Sequence, residues 1–170
     1  MIIITKNLEL VPCNTEILTD AIAGNEKLAL KLGVSIVENW NEFGSAIFQY
    51  TIDKLAESED EMGWWIYFVI HKRDERLIGG GGYKGRPTAE GNVEIGYEIA
   101  PAYRNGGFAT EVAKGLIEHA FSYSNVKCIL AHTMAYENPS TKVLTKCGFV
   151  KTGEVQDPED GLVWRWELIK

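Results

Sequence analysis

Cysteine is scarce in this chain of 170 residues, and Cys13, Cys128 and Cys147 are odd in number and far apart. No CxxC pair occurs, which argues against a disulfide framework and against zinc-ligand spacing. Reduced thiols fit a cytoplasmic protein. His71, His119 and His132 are scattered, and we assign all three to structure and expect no metal. Long apolar runs are also missing. The longest, Trp64 to Ile70, is strand-sized and far short of a membrane span. The opening MIIITKNLEL has neither the apolar length nor the basic leader of a signal peptide. We expect no membrane partner. Positive charge is in deficit, with 17 Lys and Arg against 24 Asp and Glu and a net charge of −7. Phosphate-backbone binding wants the opposite, so we expect no nucleic acid. There is no Walker lysine, no GxGxxG spacing and no doubly wound strand pattern, which argues against ATP and nicotinamide sites.

What is present is an ordinary globular composition, 45% apolar and 24% charged, without linker or repeat. We read residues 1–170 as one α+β domain. Leu8 to Val11 reads as an edge strand stopped by Pro12. Asn14 or Thr15 can cap a helix that Gly24 breaks, and a second piece, Asn25 to Leu32, stops at Gly33. Another helix is expected from Ser45 to about Glu57. We read Trp40 and Phe43, just before it, as packing on the sheet, with an acceptor-pocket wall as their other open role. The continuously apolar Trp64 to Ile70 suits a strand covered on both faces. Lys72 to Arg76 is a solvated hairpin turn. Leu77 to Tyr83 follows as a strand holding four successive glycines, which mark a bulge or a close backbone approach. Lys127 to Ala135, Phe149 to Glu154 and Leu162 to Ile169 are further strands. Asn138 caps a helix with Pro139 in its first turn, and Gly148 ends it.

The stretch Gly91 to Ser124 organises the rest. A strand from Val93 to Ala100 ends at Pro101. The turn Tyr103-Arg104-Asn105-Gly106-Gly107-Phe108 follows, and a helix starts at about Ala109. Strand, glycine turn and helix N-terminus make an anion site from backbone N–H groups and the positive end of a helix dipole. Gly106 and Gly107 can turn several N–H groups inward, Ala109 is small enough for a ligand to come close, and Arg104 can add a charged contact. A loop that merely needed glycines to turn is the competing reading of the pattern. Strand–helix–strand around residues 93–135 implies one central parallel pair in a sheet that is otherwise mostly antiparallel, about seven strands with helices on both faces.

The chain resembles the GNAT superfamily of N-acetyltransferases, in particular its RimJ/RimL-like branch. The likeness is carried by Val93-Glu94-Ile95-Gly96-Tyr97-Glu98-Ile99-Ala100, by Tyr103 to Glu111, and by Glu137-Asn138-Pro139-Ser140 through Cys147-Gly148-Phe149. It implies acetyl-CoA as co-substrate and a primary amine as acceptor: a protein N-terminus, an amino acid, a polyamine or a drug amine. It implies that Arg104, Asn105, Gly106, Gly107, Phe108, Ala109 and Thr110 wrap the pyrophosphate. The strand end Glu98, Ile99 and Ala100 would pair with pantetheine, a form of strand addition. A strand N–H there would polarise the thioester carbonyl. Asn138 would contact the pantetheine arm, although the motif is one residue shorter than the family's, which leaves Glu137 and Ser140 open for that contact. Glu94 stands at the family's base position, with Glu98 the second candidate on the same strand face. An ordinary exposed strand face is the plain alternative for both. The family's acid tyrosine is missing from Leu144-Thr145-Lys146, so Ser140 and then Tyr136 are the substitutes. Cys147 reads as a small core residue. A binding-only acyl-CoA module is the alternative function, and monomer and homodimer are both open.

Overall fold

The computed structural model describes residues 1–170. Nine strands and five helices follow one another as β1 (Ile3–Ile4), β2 (Leu8–Pro12), α1 (Thr15–Ala23), α2 (Asn25–Leu32), β3 (Ser35–Ile36), α3 (Ala46–Glu57), β4 (Ile66–His71), β5 (Arg76–Tyr83), β6 (Asn92–Ile99), α4 (Phe108–Phe121), β7 (Cys128–Met134), α5 (Pro139–Lys146), β8 (Val150–Asp157) and β9 (Gly161–Ile169). The sheet order is β1-β2-β4-β5-β6-β7-β9-β8, with β3 added to β5. This is the mixed α/β fold expected, with β6 and β7 as the central parallel pair.

Two short strands were not legible. Ile3 and Ile4 pair with Leu10 and Glu9, so β2 lies inside the sheet and not at its edge. Val34 to Val37 contains β3, which runs parallel to Arg76 and Leu77 where β6 has left β5. Both are two-residue strands, too short for periodicity to reveal.

Alternation along β4 explains the two-faced core. Phe68 meets Trp40 edge-on at 5.0 Å and Phe48 at 5.6 Å on the α3 side. Tyr67, the next residue back, packs against His119 of α4 at 6.0 Å on the other. Asn14 caps α1 by accepting from Ile17 N–H at 2.9 Å. Glu111 of α4 ties the chain start to this layer by accepting from Thr5 Oγ1 and Asn7 N–H, each at 2.6 Å. Burial opposes its charge, but these hydrogen bonds prevail and hold Glu111 below the usual carboxylate range.

The glycine run in β5 has a position-by-position explanation. A Cβ on Gly79 would lie 2.2 Å from Glu98 O, and one on Gly82 would lie 1.8 Å from Trp65 O, so neighbouring backbones exclude side chains there. Gly81 faces α4 and would meet Val112 Cγ1 at 3.0 Å. Gly80 faces the other way, where a Cβ would make only ordinary contacts, with Tyr67 O at 3.7 Å and Glu98 Oε1 at 3.9 Å. A register shift opposite Val69 and Ile70 supplies the bulge that the run suggested.

Candidate functional site

Strand β6 pairs with β7 only over Asn92–Glu94 and Cys128–Leu130, after which the two strands part. On its other side β6 stays paired to β5 as far as Ile99. Lys84 N–H donates to Glu94 O, and Ala100 N–H donates to Ile78 O at 2.8 Å. By strand alternation, Ile95, Tyr97 and Ile99 turn their N–H and C=O groups into the gap toward β7. Ala100 is therefore committed to β5, Ile99 O accepts from Arg104, and the open backbone runs from the Ile95 carbonyl through Tyr97 to the Ile99 N–H.

The turn after β6 is shaped from below. Asn105 and Gly107 both adopt left-handed backbone, at φ of 66° and 81°. Gly107 is the N-cap of α4 and has no side chain to satisfy the first-turn N–H groups. Those donors are left for a ligand, and the helix dipole favours an anion. Phe108 turns its ring under the loop against His71 at 5.0 Å and Tyr103 at 6.1 Å. A Cβ on Gly106 would lie 2.8 Å from that ring. Phe108 thus contributes its backbone to the loop face and its side chain to the support. Ala109 and Thr110 complete the first turn of α4, both half-buried.

Arg104 does not extend freely over this loop. Its Nε donates to Ile99 O at 2.9 Å, and its Nη2 pairs with Glu42 Oε1 at 2.7 Å. Glu42 N–H in turn donates to Glu98 Oε2 at 2.8 Å. A chain of contacts therefore runs from the glycine turn to the loop before α3 and back to β6.

Glu94 and Glu98 share a face of β6 but not an environment. Glu94 Oε1 is ion-paired with Lys84 and lies 3.0 Å from His132 Nδ1. Glu98 is desolvated, and burial pushes its carboxyl up to about 7, helped by the nearby Glu42 carboxylate. Backbone N–H groups of Glu42 and Phe43 and the Arg104 charge act in the opposite direction without overcoming burial.

Glu98 stands in a cavity of about 560 Å³ on the α3 side of the sheet. Its floor follows the cross-strand rows Phe68–Gly80–Glu98 and Ile66–Gly82–Gly96. Trp40, Phe43, Tyr50 and Trp65 are among its walls. Trp40 is buried and stacks on Phe48 at 6.0 Å, as plain packing requires, and its other side lines the cavity. Phe43 is 72% exposed, so its position at the cavity fits the wall role rather than core packing.

On the opposite face, Tyr97 Oη and Ser140 Oγ lie 3.3 Å apart beside the gap. Burial pushes the Tyr97 phenol up to about 12, partly offset by Ser140. Tyr136 is 59% exposed, and its carbonyl accepts from Asn138 Nδ2 at 2.9 Å. The Asn138 side chain also accepts from Thr141 N–H at 3.1 Å in a reciprocal capping box. Its amide is occupied with holding α5, whereas Ser140 is turned to the site. Glu42, Lys84, His132, Tyr97 and the glycine floor are members that sequence reasoning missed. Their only signal was the even spacing of Gly80, Gly82 and Gly96 against Glu98, which becomes visible once the strand registers are known.

A groove of about 580 Å³ also runs between residues 1–6 and the outer side of α4, touching Gly107 and Thr110. It adjoins the turn and lies away from the glycine floor. No group of three or more His, Cys, Asp or Glu side chains is placed to hold a metal ion. No helix is long and apolar enough to cross a membrane.

A family model described as an acetyltransferase (GNAT) domain matches residues 22–150. The Bacillus subtilis protein named uncharacterized N-acetyltransferase YjdG is 30% identical over 136 residues, 78% of this chain and 80% of that one. Among solved structures, the fold is shared with RimL, a ribosomal L7/L12 alpha-N-protein acetyltransferase in complex with coenzyme A. The TM-score is 0.72 at 13% identity, over 99% of this chain and 98% of that one. It is shared as well with the ribosomal-protein-S5-alanine acetyltransferase of Vibrio fischeri, at a TM-score of 0.71 and 17% identity over 99% and 96% of the two chains. The open β6–β7 gap, the uncapped glycine turn and the family match agree, and the chain belongs to the GNAT family and is an N-acetyltransferase.

Proposed function

We propose that this protein moves an acetyl group from acetyl-CoA directly to a primary amine, with donor and acceptor meeting at Tyr97 and Glu98. One observation carries the reading. These consecutive residues face both halves of the site: Tyr97 gives its backbone to the gap and its hydroxyl to Ser140, while Glu98 gives its carboxylate to the cavity. A reaction between a bound thioester and a bound amine needs that adjacency.

Acetyl-CoA supplies the activated acetyl group and a thiolate leaving group. The residues present fit it: the uncapped α4 N-terminus and the turn Asn105–Thr110 would hold the pyrophosphate, and the open backbone of Ile95, Tyr97 and Ile99 would pair with the pantetheine arm. Arg104 acts mainly by fixing the strand end and the Glu42 loop. Glu98 takes the ammonium proton, because a carboxyl raised to about 7 is matched to work near neutral pH. In Glu94, a substrate ammonium would have to compete with Lys84. The departing thiolate, whose thiol has a pKa of about 8.5, needs no strong acid: the Ser140 hydroxyl, backed by Tyr97, donates a hydrogen bond to the sulfur, and the proton released by the attacking nitrogen restores the thiol. Three free cysteines, and no step that needs them, suit a cytoplasmic enzyme.

Calorimetry with acetyl-CoA, followed by thiol release across a panel of amines, peptides and aminoglycosides, tests this reading. Binding with amine-dependent CoA release is the expected result. Tight binding with no release for any amine would replace the enzyme reading with a binding-only module, and absence of binding would remove the donor assignment.

A further inference from the structure

Resting on the transferase reading of this cavity, we propose that the acceptor is a monocationic primary amine joined to a flat aromatic or bulky branched apolar group, and not a polyamine or an amino sugar. The floor carries the first argument. A Cβ on Gly96 would meet nothing within 4 Å, and one on Gly80 would meet only Tyr67 O at 3.7 Å and Glu98 Oε1 at 3.9 Å. Bare backbone thus forms a flat surface beside the carboxylate, where any side chain would have stood in the ligand's place. Glycine inside a strand costs backbone entropy and packing, and the absence of a neighbour at Gly96 means that tertiary sterics do not require it.

The walls carry the second. Trp40, Phe43, Tyr50 and Trp65 surround the floor, and Tyr50 meets Trp65 edge-on at 5.5 Å. Flat backbone below and rings around it make a slot suited to a ring or a branched apolar group.

The charges carry the third. Glu98 is the carboxylate at the floor, and Glu159 comes to the lining from the turn between β8 and β9. At the other end of the lining, Lys84 presents an ammonium held by Glu94. One substrate cation is matched by Glu98, the desolvated carboxylate, whereas Glu159 is exposed on its turn, where water and salt screen its charge. A second cation carried toward Lys84 would meet like charge, and a hydroxyl-rich sugar would leave polar groups unpaired against the rings.

The test uses the full chain saturated with CoA and titrated calorimetrically with four probes. These are 2-phenylethylamine, the amide of a short peptide beginning with Phe, spermidine, and an aminoglycoside. Thiol release from acetyl-CoA is then followed with the same four. At least one aromatic probe is expected to bind roughly tenfold or more tighter than spermidine and the aminoglycoside, as one extra well-buried apolar group allows. The two aromatic arms tell a free amine from a peptide N-terminus. Gly96→Leu fills open space, so the variant is expected to fold and to keep its acetyl-CoA affinity while losing about tenfold or more in aromatic-amine affinity. Gly96→Ala should show the same loss in weaker form. Preference for spermidine or the aminoglycoside overturns the proposal, as does failure of both aromatic probes to bind or an unaltered aromatic affinity in Gly96→Leu. Aromatic binding without thiol release would keep the pocket chemistry and end the transferase reading. Thiol release with spermidine alone would do the reverse.

Discussion

The proposed donor side of the site comes largely from one continuous stretch, Ile95 to Thr110, whereas the proposed acceptor cavity draws on residues from Trp40 to Glu159. The donor stretch works largely through backbone: left-handed Asn105 and Gly107, an uncapped helix start, and strand edges left open by the β6–β7 parting. The cavity works through side chains, and also through their absence at Gly80 and Gly96. The difference teaches where each half is vulnerable. A loop made of N–H groups tolerates many side chains but not a changed conformation or a negative charge. A cavity made of rings and a carboxylate at its floor depends on the identity of each.

The largest expected effect separates the two carboxylates of β6. Glu98→Gln should lower kcat by about 10²- to 10⁴-fold, the usual worth of a positioned base. In the wild type, the rate should rise with pH through about 7, as the carboxyl raised by burial ionises. That limb should be missing from the variant, and a pH–rate profile checks it. Stability should respond with the opposite sign. A carboxyl raised in the folded state adds stability that is fully present below its unfolded value of about 4.3 and is lost as pH rises through about 7. Denaturant midpoints across that window should fall for the wild type and fall less for Glu98→Gln. Glu94→Gln should leave the kinetic limb in place, because Glu94 is engaged with Lys84 and His132. A loss of the limb in Glu94→Gln alone would exchange their roles.

Next in size is a change confined to the donor loop. Gly107→Glu places a carboxylate where the pyrophosphate is proposed to sit, with open space for its side chain but strain from the left-handed φ of 81°. Acetyl-CoA affinity should fall by about a hundredfold, on the scale of losing two charge-assisted hydrogen bonds. Calorimetric titration of acceptor amines should show little change, so only one half of the site would suffer. Equal damage to both would break the comparison.

The smallest effect concerns Asn138. Because its side chain caps α5, Asn138→Ala should cost about 1 kcal/mol in stability by chemical denaturation. Acetyl-CoA affinity should stay near the wild-type value. A large loss of affinity at full stability would return Asn138 to the donor site.

Legibility followed the range of the interactions involved. The strand from Asn92 to Ile99, the glycine turn and α4 could be read because strand alternation, left-handed glycine and helix capping are local. Even there, Arg104 read as a phosphate contact, and its tie to Glu42, 62 positions away, came only with the fold. The four glycines suggested a bulge or close approach, and both occur. That Gly80 stands beside Glu98 required the register of β5 on β6. His132 looked unrelated to Glu94 until the parallel pairing set β7 beside β6. Pairs such as Ile3 with Leu10 were hidden for the same reason, since two residues carry no period.

The sequence by itself determined the family, the order of the longer elements and the glycine turn, because each shows in local patterns: strand alternation, helix caps and short motifs. Tertiary structure alone decided which carboxylate is desolvated, which rings line the cavity beside it, and that Arg104 is tied to Glu42. Those properties depend on strand register and on what excludes water, and both are set by contacts between distant segments.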